Sequence, residues 1–166
     1  MRLLSECFPL LIGIGPMRYD AEAVARMAEA FDPFHQRGER YAFISIQPQG
    51  SVAPGPSERK LIMDWVGSPS VRIHAAQLCV GSAAVVDSAL MRGALTALLW
   101  IWKPPFPVEP VATPARGIDY CLDRLAACGV SLPDDPRRLA ARAEAQLAVV
   151  LRGSASSSSV RRATRL

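Results

Sequence analysis

Two spacings of apolar residues alternate along the chain: every second position, as in a strand, and a period near 3.6, as in a helix. Pro9–Ile14 reads as the first strand, ending at Gly15-Pro16. Asp20 is placed to cap a helix to about Phe34, with Val24, Met27, Ala28 and Phe31 on one stripe and Gly38 beyond its end. Tyr41–Ile46 is apolar, aromatic and β-branched, which suits a central strand. Residues 48–57 are a loop by composition, and Ser57 is placed to cap a helix through Leu61, Ile62 and Trp65 that stops before Pro69. A polar connection then leads to a strand over Leu78–Val86, a turn at Asp87-Ser88 and an apolar helix over Ala89–Trp102. Pro104, Pro105 and Pro107 stop that helix, because proline cannot continue the hydrogen-bond ladder.

Val108–Ala112 is a short strand that Pro110 assigns to a sheet edge. Thr113 as N-cap, Pro114 at N1 and Gly129 past the end bracket a helix that turns Ile118, Leu122 and Leu125 inward. A last amphipathic helix after Asp134-Asp135-Pro136 carries Leu139, Ala143, Leu147, Val150 and Leu151 on one side. The order β-α-β-α-β-α-β-α with one added helix predicts an α/β fold with a parallel or mixed sheet.

Length and composition narrow the classes. The 166 residues suit one domain, and 50% hydrophobic residues exclude wholesale disorder. Ala89–Trp102 is shorter than the roughly 20 residues a membrane span needs, and it contains Arg92, so no span is expected. The net charge of +4 comes from Arg152, Arg161, Arg162 and Arg165 near the C-terminus, and residues 1–151 are balanced. A structured basic face interleaved with aromatics is missing, so nucleic acid is not expected as a partner. Gly153–Ser159 is low-complexity, and 153–166 is expected to be a disordered Ser/Arg-rich tail.

Cys7, Cys79, Cys121 and Cys128 form no CxxC, and His35 and His74 lie far apart in sequence, so neither a metal site nor another cofactor is expected. The cysteines read as small core hydrophobes in a reducing, cytoplasmic setting. Met1-Arg2-Leu3-Leu4 imitates the start of a signal peptide, but Pro9, Gly13, Gly15 and Pro16 break the apolar stretch.

Enzyme templates are not met. Gly13-x-Gly15-Pro16 lacks the third glycine of a dinucleotide loop, and no GxSxG elbow exists. A site assembled in space from Asp87, Ser88, Arg92 or His74 stays open, and no catalytic residue is assigned. The richest segment is Val85–Thr96, where a strand feeds a helix at Asp87-Ser88. Ser88 there either caps the helix or sits where a phosphoryl group is held by free N–H groups. Arg92 lies early in the helix, where the dipole disfavours a cation, and either pairs with Asp87 or serves an anion or partner. The helix itself is apolar nearly all round, more than a stripe facing a sheet requires, so it is either covered within the chain or offered to another molecule.

The alternating order, the strand ending Val-Val-Asp-Ser and the continuation Arg92-Gly93-Ala94-Leu95-Thr96-Ala97 with Trp100 and Pro104-Pro105-Phe106-Pro107 resemble bacterial STAS-like domain proteins, relatives of the anti-sigma-factor antagonists. The likeness covers about residues 8–128 and rests mainly on 78–107. It implies a mixed sheet of four to five strands with helices packed mainly on one side: a STAS-like domain at 1–130 and an extra C-terminal helix at 131–152. It also implies a non-catalytic regulatory module that binds a protein partner at the strand–helix junction, here Asp87, Ser88, Met91, Arg92, Thr96 and Trp100. In the antagonists the junction reads Asp-Ser-Ser-Gly or Asp-Ser-Thr-Gly with the second hydroxyl phosphorylated. Here Ala89 takes that place and Leu90 replaces the glycine, which leaves Ser88 as the candidate phosphosite.

Two other expectations stand beside this one. The surplus of Trp, Met and Leu around Trp65, Trp100 and Trp102 also suits a pocket for a small apolar or lipid-like ligand. A helix face with no partner in its own chain is most simply buried in a homodimer.

Overall fold

The computed structural model describes residues 1–48, 50–52, 55–101 and 103–163, with side chains described up to Arg152. Trp102, included above in the apolar helix and in the ligand reading, lies outside the described residues. The strands are β1 (Arg2–Leu4), β2 (Leu10–Ile14), β3 (Tyr41–Ile46), β4 (Cys79–Val85) and β5 (Val108–Val111). The helices are α1 (Ala21–Arg37), α2 (Pro56–Val66), α3 (Pro69–Leu78), α4 (Ala89–Ile101), α5 (Pro114–Ala127) and α6 (Pro136–Ala163). The strands form one mixed sheet in the order β1-β2-β3-β4-β5. β1 runs antiparallel to β2, and every other pair is parallel.

Neighbouring parallel strands in chain order, joined by right-handed crossovers, send their connecting helices to the same face. Phe31 and Phe34 of α1, Trp65 of α2 and Leu78 of α3 accordingly pack with Leu11, Tyr41, Phe43 and Cys79 on one side of the sheet. That leaves the other side to the helices after β5. Ile118, Cys121 and Leu125 of α5, with Leu139, Ala143 and Leu147 of α6, close over Leu10, Ile12, Ala42, Ile44 and Ala83. The helices therefore cover both faces, where the family likeness implied mainly one. The reason is local: β3 is apolar on both sides, with Tyr41 and Phe43 facing α1–α3 and Ala42, Ile44 and Ile46 facing α5 and α6. A parallel sheet of that kind needs two covers.

The terminal signals act as their chemistry predicts. Asp20 accepts from the Ala23 N–H at 2.7 Å, Thr113 accepts from the Arg116 N–H, and Gly38 and Gly129 close α1 and α5 at φ +67°. Pro110 lies in β5, an edge strand.

Other expectations are corrected. The polar connection before β4 is helix α3, with Pro69 at its first turn and Ala75 and Leu78 buried. α2 begins at Pro56 with Gly55 before it, so Ser57 is not its cap. β1 completes the edge beside β2 and was not foreseen. α6 continues to Ala163, past the end expected at 152. No proline interrupts 137–163, so nothing in that stretch blocks the backbone ladder. No helix among the described residues is long and apolar enough to cross a membrane.

Candidate functional site

The strand–helix junction lies where β4 leaves the sheet. Val86 N–H donates to Val111 O at 2.9 Å, so the strand's last backbone contact is to the edge strand β5. Asp87 and Ser88 follow, both exposed. Ser88 Oγ accepts from the Met91 N–H at 3.4 Å, the bond of a capping hydroxyl. Arg92 folds back over this turn, and its guanidinium donates to Val86 O at 2.8 Å and Asp87 O at 2.7 Å. The pairing expected with Asp87 is thus made with the backbone, not the carboxylate. A cation disfavoured by the helix dipole is held there by two carbonyls at the strand end. Thr96 Oγ1 donates to Arg92 O at 2.9 Å, one turn back, and stays at the surface.

The six residues expected at a partner site divide accordingly. Arg92, Ser88 and Thr96 hold the local geometry. Met91 and Trp100 point outward, and Asp87 is exposed beside them. α4 turns Arg92, Leu95 and Leu99 partly inward toward β5, yet it buries none of its residues. Its outer side carries Leu90 (82% exposed), Met91 (58%), Leu98 (53%), Trp100 (79%) and Ile101 (85%). Of the two fates open to this helix, coverage within the chain is not what the described residues provide. The extra helix α6 packs on α5 and reaches β1's side of the sheet, where Arg142 donates to Glu6 O and Cys7 Sγ to Gln146 Oε1. Gly93 meets no neighbouring atom, so it marks no close packing.

A second feature lies on the α1–α3 face. A cavity of about 320 Å³ separates the sheet from these helices. Phe43, Ser45 and Gln47 of the β3 segment line it with Met27 and Phe31 of α1 and Trp65 of α2. Gly13 makes room for this arrangement: a Cβ there would meet the Phe43 ring at 2.6 Å, so the bare backbone of β2 lets Phe43 lie across it. Past the strand's end, a Cβ on Gly15 would collide with the Gln47 amide, which in turn hydrogen-bonds the Tyr19 hydroxyl. The two glycines read above as a failed phosphate loop serve close approach of side chains instead.

Burial favours the neutral forms of three groups that line the cavity, Tyr41, Cys79 and His35. Burial pushes the Tyr41 phenol up, and the Cys79 thiol up to about 12. His35 stacks on His74 with ring centroids 4.8 Å apart. Burial, aided by His74 and opposed by Asp32, lowers the His35 pKa below 6.5. Among the described residues no hydrogen bond joins His74 to Asp87, Ser88 or Arg92, and no metal-ligating cluster is found.

The junction and the cavity share no residue. Trp65 lines the cavity, whereas Trp100 stands on the outer face of α4. Compared with protein-family models, curated proteins and solved structures, the chain matches none.

Proposed function

We propose that this chain is a non-catalytic interaction module of the STAS type that captures a protein partner on α4 and the adjoining Asp87-Ser88 turn. One observation carries the reading: a thirteen-residue helix, apolar along most of its length, buries none of its side chains. A cluster of large exposed apolar side chains on one helix marks an interaction surface. Its anchor is Trp100, an aromatic of the kind that dominates binding hot spots, and Leu98 and Met91 add apolar area around it. The partner offers an apolar groove and needs no opposing charge, because the one cation of α4, Arg92, is engaged by carbonyls of its own chain. Ser88 is the junction's exposed hydroxyl and the position at which phosphorylation would add charge to the rim of this face.

Native mass spectrometry of the protein purified from its own host tests this. The expected species is the chain with a second, different protein, lost on double substitution Leu98→Asp and Trp100→Asp while the unfolding midpoint stays in place. A bare monomer from the wild type contradicts the proposal. A species of twice the chain's mass replaces it with self-association through the same face.

A further inference from the structure

The cavity under α1–α3 has a shape and a charge pattern that α4 does not explain. Its floor follows one face of β3, from Tyr41 through Phe43 and Ser45 to Gln47. Alternate residues over that stretch span roughly 20 Å at 3.3 Å per residue, so the space is long. Its volume of about 320 Å³ lies at the lower end of the ligand-pocket range of roughly 300–1,000 Å³. An apolar cavity of about 150 Å³ already suffices to take up benzene. The walls are largely apolar, and no Asp or Glu lines them.

Arg72 of α3 is the one lining residue with a permanent charge. Its side chain is exposed, and its guanidinium makes no hydrogen bond or ion pair with the described residues. A lone cation beside an apolar space free of carboxylates favours an anion in Coulomb terms. Tyr41 adds a second polar point among the lining residues.

We propose that this cavity binds an anionic amphiphile, an apolar chain lying along β3 with a carboxylate head held by Arg72. The inference is independent of the partner reading, since no residue of α4 lines the cavity.

Isothermal titration calorimetry with three ten-carbon probes below their micelle concentrations tests it: decanoate, decanol and decyltrimethylammonium. Decanoate is expected to bind one per chain and at least about tenfold tighter than decanol, an energy difference of about 1.4 kcal/mol. The cation is expected not to bind. Arg72→Gln should bring decanoate down to decanol and leave decanol unchanged. Ser45→Phe, which fills the middle of the cavity, should abolish both; should it fail to fold, Arg72→Gln still decides. Leu98→Asp with Trp100→Asp should leave decanoate binding intact. The inference is overturned by equal binding of all three probes, by no binding, by a decanoate preference that survives Arg72→Gln, or by decanoate binding lost with the α4 substitutions.

Discussion

Trp100→Ala separates a free binding face from a packed one. The indole is 79% exposed in the chain alone. A buried aromatic covers roughly 150–250 Å², so seating most of Trp100 in a partner removes on the order of 150 Å² from water. At about 25 cal/mol per Å², that is worth about 4 kcal/mol before the costs of association. Measured hot-spot truncations of 2 kcal/mol or more set the net loss at about thirtyfold or greater in affinity. The folded chain alone loses almost nothing, because exposed positions change stability by about 0.5 kcal/mol or less. Leu125, fully buried on the inner face of α5, is the comparator: Leu125→Ala should cost about 2–5 kcal/mol. Urea unfolding of both variants, with partner occupancy by native mass spectrometry, reads the two effects separately. A loss above about 1 kcal/mol for Trp100→Ala would refute the reasoning by showing that the indole is packed in the isolated chain. Undiminished occupancy would refute it from the other side.

Arg92→Met removes two hydrogen bonds from a charged donor to the carbonyls of Val86 and Asp87 and should cost about 1–3 kcal/mol, seen as faster amide exchange over 86–91; unchanged exchange there would deny Arg92 its holding role. Stability should fall as pH drops from 7 to 5. The folded state resists protonating His35, whose pKa is depressed, while the unfolded chain binds that proton near 6.5. His35→Gln should flatten this slope in pH-dependent urea midpoints, and a slope unaltered by it would place the origin elsewhere. Burial lifts the Cys79 and Cys121 thiols to about 12, so native protein at pH 8 should react with iodoacetamide first at half-buried Cys128; peptide mapping that finds Cys121 modified equally fast would contradict its burial.

Much of the fold was legible because local chemistry and packing agree. Asp20, Thr113, Gly38 and Gly129 each use the terminus they occupy, and the period of Ile118, Leu122 and Leu125 matches the face that α5 buries. α3 was missed because Pro69 reads as readily as a stop for one helix as N1 of the next, and only tertiary burial of Ala75 and Leu78 decides. β1 escaped because three residues carry too little periodicity to mark a strand before it pairs with β2. The second cover of the sheet was written in the two-sided apolar character of β3, which outweighs the one-sided arrangement implied by the family likeness.

The candidate site was legible in outline. The surplus of apolar residues on α4 marked its exposed face, yet Arg92 turned out to hold the turn it follows. The cavity was beyond sequence reasoning, since its walls come from α1, α2, α3 and the sheet, and Arg72 acquires interest only from the absence of carboxylates around it. Gly13 was the one local clue: a glycine inside a strand signals close approach, here of the Phe43 ring.

The most direct test of the partner face is site-specific photo-cross-linking in the host cell, with benzoylphenylalanine at position 98 on α4 and, as control, at exposed position 123 on α5. A discrete adduct with a second protein from position 98, missing from position 123 and lost on Trp100→Asp, is the predicted result. Equal or no adducts from the two positions would contradict a partner site on α4.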